Sequence, residues 1–228
     1  MVVTRTCKSF RDEACAALKG NWGLAVGATL IYMILYGAFS AGAELGEGLG
    51  TFACFLLALL IGIPLTWGYY TMFMPLVRQE GKLDLGMLFD GFKDYGRIFL
   101  TLLLMGIYTY LWTLLLIVPG IIKGYSYSMT PYILKDRPDL KYNGAIEESM
   151  RMMRGNKMKL FLLDLSFIGW ILLCIITLGI ALLWVEPYIV SARAAFYEEL
   201  KRLDAESMEN ADVAGTFQGV SEETTSLE

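Results

Sequence analysis

Residues 48–77 read GLGTFACFLLALLIGIPLTWGYYTMFMPLV, 30 consecutive positions without a charged side chain. A bilayer core of about 30 Å is crossed by about 20 apolar residues in helical form. Lipid offers no partner to an unpaired backbone group, so such a run must be a helix. The run is continuous and does not alternate, which excludes a strand of an outer-membrane barrel. Two more segments share these properties, residues 20–43 with 24 uncharged positions and residues 98–122 with 25.

The second half is more broken. Residues 124–134 give 11 uncharged positions, 160–185 give 26 with Asp164 as the one charge, and 180–200 carry Glu186, Pro187 and Arg193. Pro119-Gly120 and Thr177-Leu178-Gly179 read as tight turns that fold helices into hairpins. The expected fold is all-α: a polytopic bundle of six helices in three hairpins, at about 21–43, 49–77, 97–118, 121–135, 158–177 and 180–201. The fourth, about 15 residues, would reach only ~22 Å. The turns at 44–48 and 177–180 hold no Lys or Arg, and only Lys123 flanks the third, so the positive-inside rule places both termini in the cytoplasm.

Composition agrees. Of 228 residues 56% are hydrophobic and 18% charged, and mean hydropathy is +0.50. No histidine is present, which removes Ser-His-Asp and Cys-His catalysis and His-ligated zinc. The four cysteines have no CxxC spacing, and no metal or other cofactor is expected. Net charge is −4, yet residues 204–228 hold seven acids and no base. Two regions follow: a helical membrane domain over 1–203 and an acidic tail over 204–228 whose composition reads as disordered.

A threefold pattern runs through the domain. Apolar stripes at helical spacing precede the first, third and fifth helices: Cys7, Phe10, Ala14, Ala17 and Leu18; Leu85, Leu88, Phe89 and Phe92; Ile146, Met150 and Met153. Each is followed by a base and a glycine, at Lys19-Gly20, Lys93 to Gly96, and Arg154-Gly155. Such short amphipathic helices are expected to lie in the headgroup plane. Pro75, Pro131 and Pro187 recur at intervals of 56 residues on the returning helices, where a proline kinks the rod and frees a carbonyl.

Ionisable groups inside a span cost about 2.5–3.5 kcal/mol at its centre, so they are the first functional candidates. Four qualify: Lys123, Asp164, Glu186 and Arg193. About Gly179, Asp164 lies 15 residues before the turn and Arg193 lies 14 after. Antiparallel helices put the two at one depth, and an ion pair is expected. Glu186 with Lys123 is a weaker expectation of the same kind. Gly23 and Gly27 form a GxxxG that would let another helix approach. Tyr108, Tyr110 and Trp112 fall near mid-span and are expected to pack among helices, with a polar cavity as the alternative. Met150, Met152 and Met153 read as an adaptable surface for the membrane or a partner.

Three groups of residues are also familiar. They are Val118-Pro119-Gly120-Ile121-Ile122-Lys123 with Tyr125 to Leu134; Ala145, Ser149, Met153 and Gly155-Asn156-Lys157; and Leu165 to Trp170, Thr177 to Ile180, Pro187-Tyr188 and Ala195-Phe196-Tyr197. Across roughly residues 5–203 the chain resembles the bacterial integral-membrane family known as domain of unknown function 975. It is distantly similar to the membrane domain attached to some glycerophosphodiester phosphodiesterases. The resemblance implies a multi-span protein of the bacterial inner membrane and brings no catalytic residues. With no paired acid and base in the sequence, an enzyme is not expected. The expected role is a bundle that binds lipid, a hydrophobic ligand or a membrane partner, with a small transporter as the alternative. Membrane lipids are the expected partners, a protein or a second copy of the chain is another, and nucleic acid is not one.

Overall fold

The computed structural model describes the backbone of residues 2–45 and 49–225 and the side chains of residues 2–38 and 50–210. Among the described residues all regular structure is helical. The chain runs α1 (Cys7–Leu18), α2 (Trp22–Leu45), α3 (Leu49–Thr71), α4 (Met74–Val77), a 3-10 helix (Leu85–Phe92), α5 (Tyr95–Leu115), α6 (Ile117–Tyr127), α7 (Thr130–Asp136), α8 (Asn143–Met152), α9 (Lys157–Leu165), α10 (Ile168–Ile176) and α11 (Leu182–Thr225).

Three stretches are long and apolar enough to cross a membrane: Gly50–Val77, Tyr95–Leu115 and Lys157–Ile176. The pair Cys7–Leu18 and Trp22–Ala38, bent by 97°, makes a fourth if counted as one span. Only 17 to 22% of each span's most apolar window is buried within the chain. Ile34, Phe52, Leu111, Ile176 and, at 93% exposure, Leu178 are bare on the outside. Isolated exposed apolar residues are ordinary in a soluble protein, but whole helices of them are not. This surface suits lipid.

The returning helices break where proline enters. Pro75 and Pro131 sit in the first turns of α4 and α7, where a missing N–H costs least. Pro187 lies within α11 without ending it. Pro119 is also in a first helical turn: the chain reverses at Leu116, in extended conformation (φ −157°, ψ 133°), and not at Pro119-Gly120. The rod α6–α7 therefore spans residues 117–136 and reaches further than the 15 residues expected. A third break, between α9 and α10, follows no proline. α11 continues to Thr225, through the stretch whose acidity suggests disorder.

The short amphipathic segments do not lay their apolar stripes on lipid alone. Phe10, Ala14 and Leu18 of α1 are buried, Phe10 against Phe196 at 5.4 Å. Met152 and Met153 are buried core, which removes them as a docking surface. On the 3-10 helix Leu88 is buried while Phe89 and Phe92 remain exposed. Gly20 and Gly155 follow α1 and α8 with φ of +87° and +84°, the left-handed caps that glycine favours. The second segment has no such stop: Asp94 opens α5 directly and Gly96 lies inside it.

Close helix approach occurs at glycines other than the expected ones. A Cβ on Gly23 or Gly27 would meet nothing within 4 Å. A Cβ on Gly68 would fall 2.0 Å from the Leu88 carbonyl oxygen, and one on Gly91 would fall 2.1 Å from that of Pro64. These two glycines seat the 3-10 helix on α3.

Candidate functional site

Asp164 lies two turns into α9 and Arg193 on the facing length of α11. Their side chains meet in a fork: Arg193 Nε donates to Oδ1 at 3.0 Å and Nη2 to Oδ2 at 2.8 Å. The Tyr125 hydroxyl donates to Oδ2 at 3.1 Å. Exposure is 17% for Asp164 and 32% for Arg193, so the pair is mostly withdrawn from its surroundings. Two parallel charge-assisted bonds and a third donor offset part of the desolvation that each charge suffers alone.

The pair borders a cleft of about 340 Å³ between α5, α6, α9 and α11. Its walls are Thr109, Thr113, Gly120, Ile121, Gly124, Tyr125, Ser128, Leu160, Asp164 and Arg193. Gly120 and Gly124 narrow the α6 wall between the side chains of Ile121 and Tyr125. The neighbouring break between α9 and α10 is held by Arg11, whose Nη1 donates to the Ser166 carbonyl at 3.1 Å.

The other two candidate charges are not brought together. Lys123 lies 5.0 Å above the Trp112 ring, a cation–π contact. Glu186 has no ion pair among the described residues and lies in electrostatic reach of Tyr32, Tyr69, Tyr70 and Tyr132. The separation follows from the packing, since α6 leans on α5, α8 and α9 while α11 leans on α1 and α2. Tyr110 and Trp112 point outward, so they line no polar cavity, and Tyr108 donates to Asn143 Oδ1 at 3.2 Å.

A second, larger cavity of about 510 Å³ lies between α2, α3, α5 and α7. Tyr36, Phe55, Leu59, Ile63, Trp67, Tyr70, Leu102 and Met105 make it apolar, and Gly62 and Ala58 give it width. At its floor Trp67 Nε1–H donates to the Pro131 carbonyl at 2.9 Å. Beside it the hydroxyls of Thr29 and Tyr69 bond at 2.9 Å. These two contacts join the first hairpin to itself and to the second.

Beyond the spans lies an ionic layer. Arg78, at the end of α4, reaches Asp136 at the end of α7 and Glu198 on α11, both at 2.6 Å. Lys201 adds a second cation to Asp136 at 2.8 Å. Burial alone would raise the Asp136 carboxyl, but Arg78 and Lys201 outweigh it and hold the group below its ordinary value. Arg151 grips Glu148 and Asp204, and Lys135 with Lys93 grips Asp90.

Sequence reasoning singled out the ion pair but missed the hydroxyl wall of the cleft. Thr109 and Thr113, four residues apart, were its available signal: on a helix that spacing makes one polar stripe. The apolar groove left no signal, because its wall residues are ordinary for a span. Among the described residues no group of three or more His, Cys, Asp or Glu converges as a metal site would.

A family model described as "Protein of unknown function (DUF975)" matches residues 114–204. That match covers α6 to α10, most of the cleft and the first half of α11. No curated protein matches, and no solved structure does.

Proposed function

We propose that the chain is a multi-span protein of the bacterial inner membrane that binds a lipid or another hydrophobic molecule and catalyses no reaction. The apolar groove of about 510 Å³ carries this reading. Its volume lies within the about 300–1,000 Å³ usual for ligand pockets. Its walls are membrane helices, so a ligand enters from the bilayer. In this reading the rods pair into three hairpins, both termini are cytoplasmic, and the ionic layer around Asp136 faces the cytoplasm, in line with the charge asymmetry. A protein partner or a second copy would then meet the remaining bare apolar faces, and nucleic acid has no role.

Native mass spectrometry of the purified protein from mild detergent tests this. Bound lipid is expected, and Gly62→Phe, which fills the groove where nothing opposes a side chain, is expected to reduce it. Absence of bound lipid, or retention unchanged by Gly62→Phe, removes the proposal.

A second reading, a small transporter, is favoured by the charged cleft that lies between the second and third hairpins. Uptake of a solute into vesicles, abolished by Asp164→Asn, would select it over simple binding.

A further inference from the structure

Arg11 on α1 is tied down by one backbone contact, and most of its guanidinium is unbonded. A guanidinium carries five N–H donors. Arg11 gives one, from Nη1, to the Ser166 carbonyl at 3.1 Å. That carbonyl is open because α9 ends at Leu165, and the Trp170 N–H bonds to the Phe167 carbonyl instead. Nε is buried without a partner. Nη2 has no acceptor among the described residues either, but it is not buried, so it opens outward. The neighbouring acids are turned elsewhere. Glu13 pairs with Arg5 and Asp164 with Arg193. Asp12 lies about 100° further round the helix, on its exposed side. Tyr188 on α11 lies in electrostatic reach of Arg11 and of Asp12. Its ring stands edge-on to Phe167 at 5.1 Å and to Trp170 at 6.3 Å. Its hydroxyl is neither buried nor bonded to any described residue.

Two unpaired donors thus open onto one seam, where α1 meets α11 and the break between α9 and α10. The seam is at the end of the bundle that carries the ionic layer. α1 turns 97° from α2 and so runs across the ends of the spans. Arg5, just ahead of α1, reaches Glu199, the neighbour of Glu198 in that layer. Tyr188 and Trp170, the latter 45% exposed, are amphipathic rings of the kind that settle at headgroup level. A half-buried cation without an acid calls for an anion, and basic sites between membrane helices take lipid phosphate. We propose that this seam binds an anionic phospholipid such as phosphatidylglycerol. Its phosphate oxygens accept from Arg11 Nη2 and the Tyr188 hydroxyl, and its chains lie along Trp170 and the bare side chains of α10. Charge agrees: Lys8, Arg11 and Lys19 outnumber Asp12 on α1 once Glu13 is given to Arg5. The exposed apolar surface beside the donors favours a lipid over a free phosphate. The site shares no wall with the apolar groove.

The test uses the full chain in mild detergent. Native mass spectrometry is run with equimolar phosphatidylglycerol and the diacylglycerol of identical acyl chains, which lacks the phosphate. The phospholipid is expected to be preferred. Arg11→Gln is expected to cut the preference about tenfold, the worth of one charge-assisted hydrogen bond, and Tyr188→Phe about threefold. Asp12→Asn removes the competing acid and is expected to raise it, a response that a merely structural Arg11 would not give. Should Arg11→Gln lose its helical circular dichroism, Tyr188→Phe carries the test, because it leaves the bond to Ser166 in place. Equal retention of the two lipids overturns the proposal, as does a preference unchanged in Arg11→Gln and Tyr188→Phe. Release of the phospholipid by added inorganic phosphate assigns the seam to a soluble anion and overturns it too. Gly62→Phe separates this site from the groove: total retention should fall while the preference persists. A preference lost in Gly62→Phe places the selectivity in the groove and overturns this proposal. A preference that persists with total retention unchanged leaves this proposal standing and removes the groove reading.

Discussion

Gly68 of α3 passes so close to Leu88 of the 3-10 helix that a methyl group on the glycine would lie 2.0 Å from the Leu88 carbonyl oxygen. The obstruction is backbone, which cannot swing aside as a flexible side chain does. Gly68→Ala is therefore expected to lower stability by at least the ~1–3 kcal/mol typical of an overpacked core. Gly23→Ala, with open space around it, is expected to be silent or slightly stabilising in its helix. Melting temperatures of both variants in the same detergent check this; equal loss in the two would count against the packing described.

Breaking the Asp164–Arg193 fork should be costly and removing it whole should not. Arg193→Gln leaves a carboxylate between helices with only the Tyr125 hydroxyl, and a loss on the order of 3–5 kcal/mol is expected. Asp164→Asn with Arg193→Gln together leaves no charge and is expected to recover much of it. A thermal double-mutant cycle gives the coupling, and a coupling near zero would mean the two charges stabilise nothing jointly.

The ionic layer has a pH signature with a defined sign. Asp136 is held below its ordinary value of 3.8, so its folded form binds a proton less readily than its unfolded form. Its contribution to stability is fully present above the ordinary value and is lost as pH falls through the lower folded value. Stability should thus fall with acidification below about pH 4. Asp136→Asn is expected to reduce stability at neutral pH and to flatten that acid limb. Thermal unfolding from pH 7 to pH 3 compares the two; parallel curves would sink the assignment.

How far the sequence revealed this arrangement depends on the kind of force involved. The lipid requirement is one-dimensional, so the apolar runs and the breaks before Pro75 and Pro131 were visible. The depth match of Asp164 and Arg193 was visible too, because two antiparallel helices joined by a short turn share a ruler. The break between α9 and α10 was not. It has no proline, and it is held by Ser166 Oγ donating to the Leu163 carbonyl and by Arg11 from 155 residues away. Glu186 and Lys123 failed to pair because neighbourhood between hairpins is three-dimensional. The turn at Leu116 was misplaced by three residues because proline serves a first helical turn as well as a reversal.

Ser149 tests whether the amphipathic segments stitch the broken helices. The chain turns between α6 and α7 at Ser128-Met129, where the Ser126 carbonyl and the Met129 amide bond to a side chain of another helix. Ser149 of α8 meets both: its Oγ donates to the Ser126 carbonyl at 2.8 Å and accepts from the Met129 N–H at 3.2 Å. All three residues are buried, so water cannot stand in. Ser149→Ala removes only one oxygen but orphans a donor and an acceptor. A loss of about 1–3 kcal/mol for such unsatisfied groups is expected. Ser149→Cys keeps the size and offers a weak donor and acceptor, so it should fall between. Hydrogen exchange of the 126–131 backbone gives a readout that a general loss of packing would not: in Ser149→Ala, protection should drop at Met129 first while α5 stays protected. Uniform loss over both helices would show that Ser149 merely fills space.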